Sequence, residues 1–503
     1  MLKIFKNPKF DWIYNSEKED SQAGRGIYLC RGKVLGGSSC TNVLLYHRGE
    51  ASDYDTWAEM CQDDSWKSQN VLPYFKKSQD DFRGESKYHG IGGEYSTSEV
   101  AYQNPLSRTF LTACGESGLT PNDDFNNWSR SQEGYGRFQV FEKNGARSSS
   151  ASGFLEPVLN RNNLVVSANT LVNKITFEGK TATGVEVEIK GVKTNIQLAE
   201  GGEVLLSGGA IASPHILMLS GIGPKEHLEE HQISVVQDIP GVGQNLQDHP
   251  AAVVSYACAP GNDGISVTSK IRVKGTTLTN PKVLLQWLLK RKGPLTSTGC
   301  DHGGFFRTKT DLKSPDLQVR FLPAQALSAD GMNTFTAFRD TKDLPDGFSF
   351  QSIASRSHSK GSVLLKSKNP HDHPVIKTSY FSDKRDLETI REGIKLSRKI
   401  SSSPAFAQYK GAEIYPGPNV QTDEQIEDYI KNTVHTSNAL TGTCKMGNDP
   451  MSVVSSQLKV HGVNGLRVID ASIMPKIPGG QTGAPTFMLA EKAAAMIIST
   501  WKS

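Results

Sequence analysis

Arg320 stands in the run Asp316-Leu-Gln-Val-Arg-Phe-Leu322, whose period-two alternation predicts a strand with Arg320 opposite Leu317, Val319 and Phe321. In apolar surroundings a guanidinium can hold a carboxylate through paired, charge-assisted hydrogen bonds. From the strand alone, the default reading of such an arginine is a surface group. Cys300 lies in Ser297-Thr-Gly-Cys-Asp-His-Gly-Gly-Phe-Phe306, and its default is a small buried hydrophobe. His435 and Asn438 open His435-Thr-Ser-Asn-Ala-Leu-Thr-Gly-Thr-Cys-Lys-Met-Gly447. They serve either as satisfied core polar groups or as holders of ordered water beside a cofactor. Gln351, in Ser349-Phe-Gln-Ser-Ile-Ala354, and the glycine-rich Pro478-Gly-Gly-Gln-Thr-Gly-Ala-Pro485 complete the candidates.

Elements that could position these groups are visible along the chain. Glu203-Val-Leu-Leu-Ser207 reads as an apolar strand, followed by Gly208-Gly209 and a helical run from Ala210 to Leu219. Strand, glycine turn and helix make half of a nucleotide-binding crossover. Leu466–Asp470 predicts a strand and Pro485–Trp501 an amphipathic closing helix, so the C-terminal region returns to the nucleotide-binding domain. Leu164–Ser167, Leu171–Phe177 and Gly184–Ile189 read as further strands. Lys384–Ile400 reads as a helix, Pro73–Ser78 as a helical fragment, and the first 100 residues otherwise as tight turns and short strands. The fold class is α/β with α+β character. The expected division is a cofactor-binding domain over 1–250, a substrate domain of mixed sheet and helices over 251–430, and a C-terminal return over 431–503.

Composition excludes several classes. Lys and Arg are scattered among Asp and Glu, with a net charge of +4 and no basic stripe, so nucleic acid is not expected as a partner. No apolar run approaches the ~20 residues of a membrane span, and the first ten residues lack the apolar stretch of a signal peptide. Seven cysteines without a CxxC pair predict reduced, mostly buried thiols in an intracellular compartment. Asn369-Pro-His-Asp-His373 reads as a polar loop, because no third ligand follows at helical spacing, and no metal is expected.

Longer motifs carry a family resemblance. Gly209-Ala-Ile-Ala-Ser-Pro-His-Ile-Leu-Met-Leu-Ser-Gly-Ile-Gly223 resembles the second signature of the glucose–methanol–choline (GMC) oxidoreductases at every position. Gly32-Lys-Val-Leu-Gly-Gly-Ser-Ser-Cys-Thr-Asn42 is similar to the first, with Thr41 replacing the usual aliphatic residue. Tyr46–Gly49, Asp53–Trp57, His89–Gly93, Gly145–Ser149 and Gly241–His249 extend the likeness over nearly the whole chain. The resemblance implies a Rossmann-like FAD-binding domain and an antiparallel-sheet substrate domain. It implies FAD contacts from Val34, Ser38, Asn42, Val43, Leu44, Leu45, Val172, Asp470, Ala471, Gln481, Thr482 and Gly483. Asn42 to Leu45 would lie along the isoalloxazine, Val172 would offer backbone bonds to adenine, and Gln481 to Gly483 would sit against the reactive edge of the flavin.

Two departures bear on the chemistry. Ala439 stands where the family usually has its His, and Gly483 where it has a second Asn or His, so neither can accept a proton from an alcohol. In the family the GxGxxG fingerprint and ribose-binding Glu precede a segment like Gly32–Asn42 by several tens of residues. The chain starts too late to carry them, and the expectation is an N-terminally truncated sequence lacking part of the dinucleotide cradle and any targeting peptide.

Ser297–Phe306, Asp316–Phe321, His435–Asn438 and Gly479-Gly-Gln-Thr-Gly-Ala-Pro485 together resemble the algal fatty acid photodecarboxylases. That likeness implies catalytic positions at Cys300, Arg320, His435 and Asn438, and substrate contacts at Cys300, Arg320 and Gln351. It implies blue-light excitation of FAD, one-electron oxidation of a long-chain fatty carboxylate, loss of CO2, and an alkane or alkene one carbon shorter. It further implies a chloroplast location with peripheral association to thylakoid membrane. The alternatives are an FAD-dependent GMC alcohol oxidase or dehydrogenase, a flavin-containing hydroxynitrile lyase, and a non-catalytic lipid-binding remnant.

Overall fold

Alternating strands build the layer that matters most for function. The computed structural model describes residues 4–502. Its largest sheet has seven strands: β1 (Gly134–Arg137), β2 (Pro250–Cys258), β3 (His302–Phe306), β4 (Leu317–Leu322), β5 (Gly347–Ala354), β6 (Lys410–Tyr415) and β7 (His435–Thr436). The spatial order is β6-β2-β5-β4-β3-β1, with β7 paired to β2. Every pairing in it is antiparallel. Gly303, Arg320 and Gln351 lie directly opposite one another on adjacent strands, and directly paired residues share a face. Leu317, Val319 and Phe321 therefore point the other way, into a core with Phe348 and Phe350.

Elements flanking this sheet follow from their capping and periodicity. Two helices, α1 (Ala51–Cys61) and α2 (Ser68–Lys77), occupy a region expected to hold mainly turns and short strands. The signal for α1 is present in the sequence: Tyr54, Trp57, Ala58 and Cys61 recur at i, i+3, i+4 and i+7, behind a Glu50/Asp53 capping box. Helix α3 (Gly209–Leu219) follows strand Val204–Leu206, which pairs in parallel with Leu466–Val468. Strands Thr170–Glu178, Thr181–Ile189 and Val192–Gln197 form a separate antiparallel sheet. Helix α4 is Pro281–Lys290 and helix α5 is Lys384–Ser401. Helix α6 (Gly483–Lys502) closes the chain.

α5 lies on the apolar face of the large sheet, burying Ile390 and Ile394 completely. The approach is close. A Cβ on Gly393 would stand 2.6 Å from Leu317 Cδ1 and 2.7 Å from Ser352 Cβ, so only glycine lets the helix seat there. Phe110 stacks on Phe321 at 4.8 Å and Phe406 on Phe348 at 4.6 Å, completing the face. A second core joins α1, α2, α3 and α6 through residues such as Trp57, Phe75, Met218 and Leu489.

One expected strand is absent. Leu164–Ser167 is irregular, and Val165 is 91% exposed. The apolar run has no neighbouring strand to supply the ladder hydrogen bonds that define one. Asn369–His373 forms the loop between strands Ser362–Leu364 and Val375–Lys377. No grouping that could hold a metal occurs among the described residues.

Candidate active site

β4 delivers Arg320 to the polar face of the large sheet, where the side chain is buried at 4% exposure. The surface reading of a strand-borne arginine is therefore wrong for this residue. Its Nη1 donates to Gln351 Oε1 at 3.3 Å, while Nε and Nη2 are buried without a partner. Among the described residues it makes no ion pair with a carboxylate. Burial lowers its pKa, opposed only by the neighbouring Cys300. A buried guanidinium without a counter-ion is costly, and an anion delivered to Nε and Nη2 would offset that cost.

Gln351 connects Arg320 to His435. Its Nε2 lies 2.8 Å from His435 Nε2. The other ring nitrogen, Nδ1, accepts from the Gly331 N–H at 3.2 Å, so the neutral ring carries its proton on Nε2. Gln351 thus stands between two donors with one amide oxygen to offer. Burial holds His435 below the usual histidine range. Gly331 is required for this seating, since a Cβ there would stand 2.4 Å from His435 Nε2.

Asn438 turns elsewhere. It sits at φ +61°, accepts from Arg31 Nη2 at 3.5 Å and donates to Met332 Sδ at 3.3 Å. It and His435 do not bond to each other; both lean on the segment Gly331–Met332. Between them Thr436 Oγ1 donates to buried Asp248, and Ala439 N donates to Asp248 Oδ1 at 2.8 Å. The position that would carry a proton acceptor is thus a methyl group fixed by its backbone.

Cys300 packs with Leu45, Val140, Phe138 and Phe305, next to Val43, Leu44 and Leu322. Burial raises its thiol to about 11, so it is neutral at physiological pH. This cluster places Cys300 and the β4 face against the segment Asn42–Leu45. That segment is irregular, with Leu44 at φ +66°. Arg147 fixes it, donating to Asn42 Oδ1 at 2.5 Å, Asn42 O at 2.7 Å and Ser39 O at 2.9 Å. Reasoning from sequence did not single out Arg147, although it lies within the noted Gly145–Ser149 motif. Gln318, one pleat from Arg320, was also missed. Its Nε2 lies 3.3 Å from Gln481 Oε1 and its Oε1 accepts from Gln481 Nε2 at 2.9 Å.

The remaining candidates divide between open and occupied groups. Gln481 also bonds the ring of His47, which burial holds at about 3. His47 Nε2, both amide atoms of Gln132 and both ring nitrogens of His249 are buried without partners around this segment. A Cβ on Gly480 would stand 2.9 Å from His47 Cβ and 3.6 Å from Gln132 Nε2, so these groups are adjacent. α6 starts at Gly483, after Thr482; Pro485 has no N–H and Thr486 N donates to Thr482 O at 3.1 Å, so Gly483 and Ala484 carry the N–H groups that its first turn leaves without an intrahelical acceptor. Such orphaned donors fit the polar edge of a flavin. Val172 lies on the edge strand of its sheet, with one side free of strand pairing. Ser38 Oγ accepts from Gly32 N at 3.1 Å, and Val34 O accepts from Gly37 N at 2.9 Å, fixing the glycine-rich loop. Asp470 is committed internally: it accepts from Ser213 Oγ at 2.5 Å, Gly209 N at 2.9 Å and Ser472 N at 2.7 Å. It ties α3 to the turn Ala471–Ile473, where the Ala471 carbonyl is taken by the N–H groups of Gly442 and Met474, both at 3.3 Å.

Known proteins are similar to this chain in sequence and in fold. The GMC oxidoreductase sequence profiles match residues 13–251 and 357–490. A chloroplastic fatty acid photodecarboxylase of Chlamydomonas reinhardtii is 44% identical, covering 99% of this chain and 83% of its own length. An oxygen-dependent choline dehydrogenase of Chromohalobacter salexigens is 40% identical over 97% of this chain and 84% of its own. Among solved structures, an Aspergillus oryzae formate oxidase aligns with a TM-score of 0.88 at 25% identity, covering 100% of this chain and 90% of that one. A pyridoxine 4-oxidase from Mesorbium loti aligns at 0.83 and 27% identity, covering 97% and 89%.

Proposed function

This chain belongs to the GMC oxidoreductase family, whose cofactor is FAD, and from that premise we propose that it decarboxylates long-chain fatty acids in a light-driven reaction. The observation that carries this reading is Arg320, a buried cation with two unpaired donors and no carboxylate of its own. The flavin, when bound and excited by blue light, supplies a one-electron acceptor. The net change is redox-neutral: the carboxylate loses CO2 and gains a proton, leaving a hydrocarbon one carbon shorter.

The side chains of this protein divide that work. Arg320 Nε and Nη2 bind the carboxylate. With the carboxylate in place, Gln351 Oε1 is released to accept from His435 Nε2–H, and its amide N–H turns to the substrate. Cys300, held as a thiol, shapes the reacting end, and Leu45, Phe138 and Leu322 exclude water around it. A dry pocket weakens hydration of the carboxylate and makes its electron easier to remove. Asn438, bonded to Arg31, supports the loop that carries His435. Ala439 and Gly483 supply no base, and none is required because no hydride leaves an alcohol.

By the same reading, the chloroplastic relative supports a chloroplast location, and peripheral association with thylakoid membrane is part of the proposal. The choline dehydrogenase relatives favour a second reading, oxidation of an alcohol by FAD. In that reading His435 serves as the base, although its accepting nitrogen already takes the Gly331 N–H. Illuminating the FAD-loaded protein with palmitate should give pentadecane in blue light and none in darkness. No hydrocarbon from flavin-loaded protein, together with flavin bleaching by an alcohol in the dark, would replace the first reading by the second.

A further inference from the structure

Helix α4 is inverted in its amphipathicity. Val283 and Trp287, one turn apart, face the protein, and Trp287 Nε1 donates to Gly145 O at 2.7 Å. Leu284, Leu285, Leu288 and Leu289 occupy the opposite stripe and are all exposed, Leu289 at 73%. Helical spacing puts these four on one side, centred away from the two inward residues. The preceding turn adds Val273 and Leu278, the latter 67% exposed. A solvent-facing leucine stripe is unfavourable unless something covers it.

Charge identifies what covers it. From Gly264 to Cys300 the sequence contains Lys270, Arg272, Lys274, Lys282, Lys290, Arg291 and Lys292, and neither Asp nor Glu. The whole chain is only +4, so the rest of the molecule is net negative and the cations are concentrated around the leucines. Arg291 stacks at 4.2 Å on Trp287, bracing the C-terminal end of the helix. Leucines on one face with a basic rim fit an anionic lipid surface, which takes up the apolar stripe and attracts the cations. A second copy of this chain would bring seven like charges against seven. Among the described residues no helix is long and apolar enough to cross a membrane, so the contact is peripheral.

We propose that α4 and the turn before it dock this protein on an anionic lipid bilayer. From Lys290 the chain runs through Pro294–Thr296 to Cys300, which limits the separation of the docked helix and the reacting end to at most about 35 Å. The advantage for a bilayer-borne fatty acid rests on the function proposed above; the lipid contact itself does not.

The test is flotation of the FAD-loaded protein, in the dark and without substrate, with vesicles of equimolar phosphatidylcholine and phosphatidylglycerol. The wild type should float, and should do so weakly with phosphatidylcholine alone. The triple variant Leu285→Ser/Leu288→Ser/Leu289→Ser should bind at least about tenfold more weakly. Lys282→Gln/Lys290→Gln/Lys292→Gln should lose about fivefold per lysine on anionic vesicles only. Circular dichroism and flavin absorbance establish that each variant is folded. Hydrocarbon formation from a soluble short-chain acid, measured in parallel, separates failure of docking from failure of the decarboxylase reading. Flotation that ignores both variant sets would overturn the proposal. So would a wild-type dimer that the leucine variant converts to monomer without any vesicle binding.

Discussion

The two faces of the large sheet are made by the same strands and obey opposite rules. On one, Val319, Phe321, Phe348 and Phe350 alternate inward and are sealed by Ile390 and Ile394 of α5. On the other, Gln318, Arg320 and Gln351 occupy the intervening positions, and of these Arg320 is equally buried from water but short of partners. The first face stabilises the fold through apolar area removed from water. The second loses stability through a desolvated cation and unpaired donors, a loss that a bound anion would recover. One residue of register separates structure from function in each strand.

Substitutions should separate the two faces sharply. Phe321→Ala opens a cavity in the sealed face and should cost about 3–5 kcal/mol in urea unfolding, with light-dependent turnover per folded molecule retained. Equal damage to turnover would show that the faces are not independent. Arg320→Leu should do the reverse. Hydrocarbon formation should fall about 100-fold or more, while the unfolding midpoint stays level or rises because an uncompensated buried charge is gone. Full activity in this variant would remove the carboxylate-binding role.

A pH titration sharpens the comparison further. Burial holds His47 and His249 at about 3 in the folded protein, against about 6.5 when unfolded. The unfolded chain therefore binds protons first as pH falls, and stability present above about pH 6.5 is lost on acidification. Each histidine contributes a slope of about 1.4 kcal/mol per pH unit between roughly pH 6 and 4. His249→Asn should flatten the wild-type curve by that amount, whereas the cost of Phe321→Ala should not vary with pH. An unchanged slope in His249→Asn would show that this ring is already protonated or solvated.

Local patterns were readable where one element decides its own form. The alternation in Gly184–Ile189 and Asp316–Leu322, the strand-glycine-helix run ending at Leu219, and helix Lys384–Ser401 all appear in the structure. Leu164–Ser167 failed because a strand needs a neighbour, and apolar residues alone do not supply one. Helix α1 is hard to read locally because Asp53–Trp57 has the form of a short motif, and its helical face shows only when Ala58 and Cys61 are included. Arg147 went unnoticed because nothing near it in sequence shows that it pins Asn42 from across the fold.

By itself, the sequence determined the family, the cofactor class and the absence of a proton acceptor at Ala439 and Gly483, since residue type and spacing carry those. Tertiary structure alone decided that Arg320 is buried without a counter-ion, that Gln351 bridges it to His435, and that Asn438 turns to Arg31. It alone decided that the leucines of α4 face outward. Burial and hydrogen-bond satisfaction depend on groups from 31 to 407 residues apart along the chain, and no local pattern encodes which of them will meet.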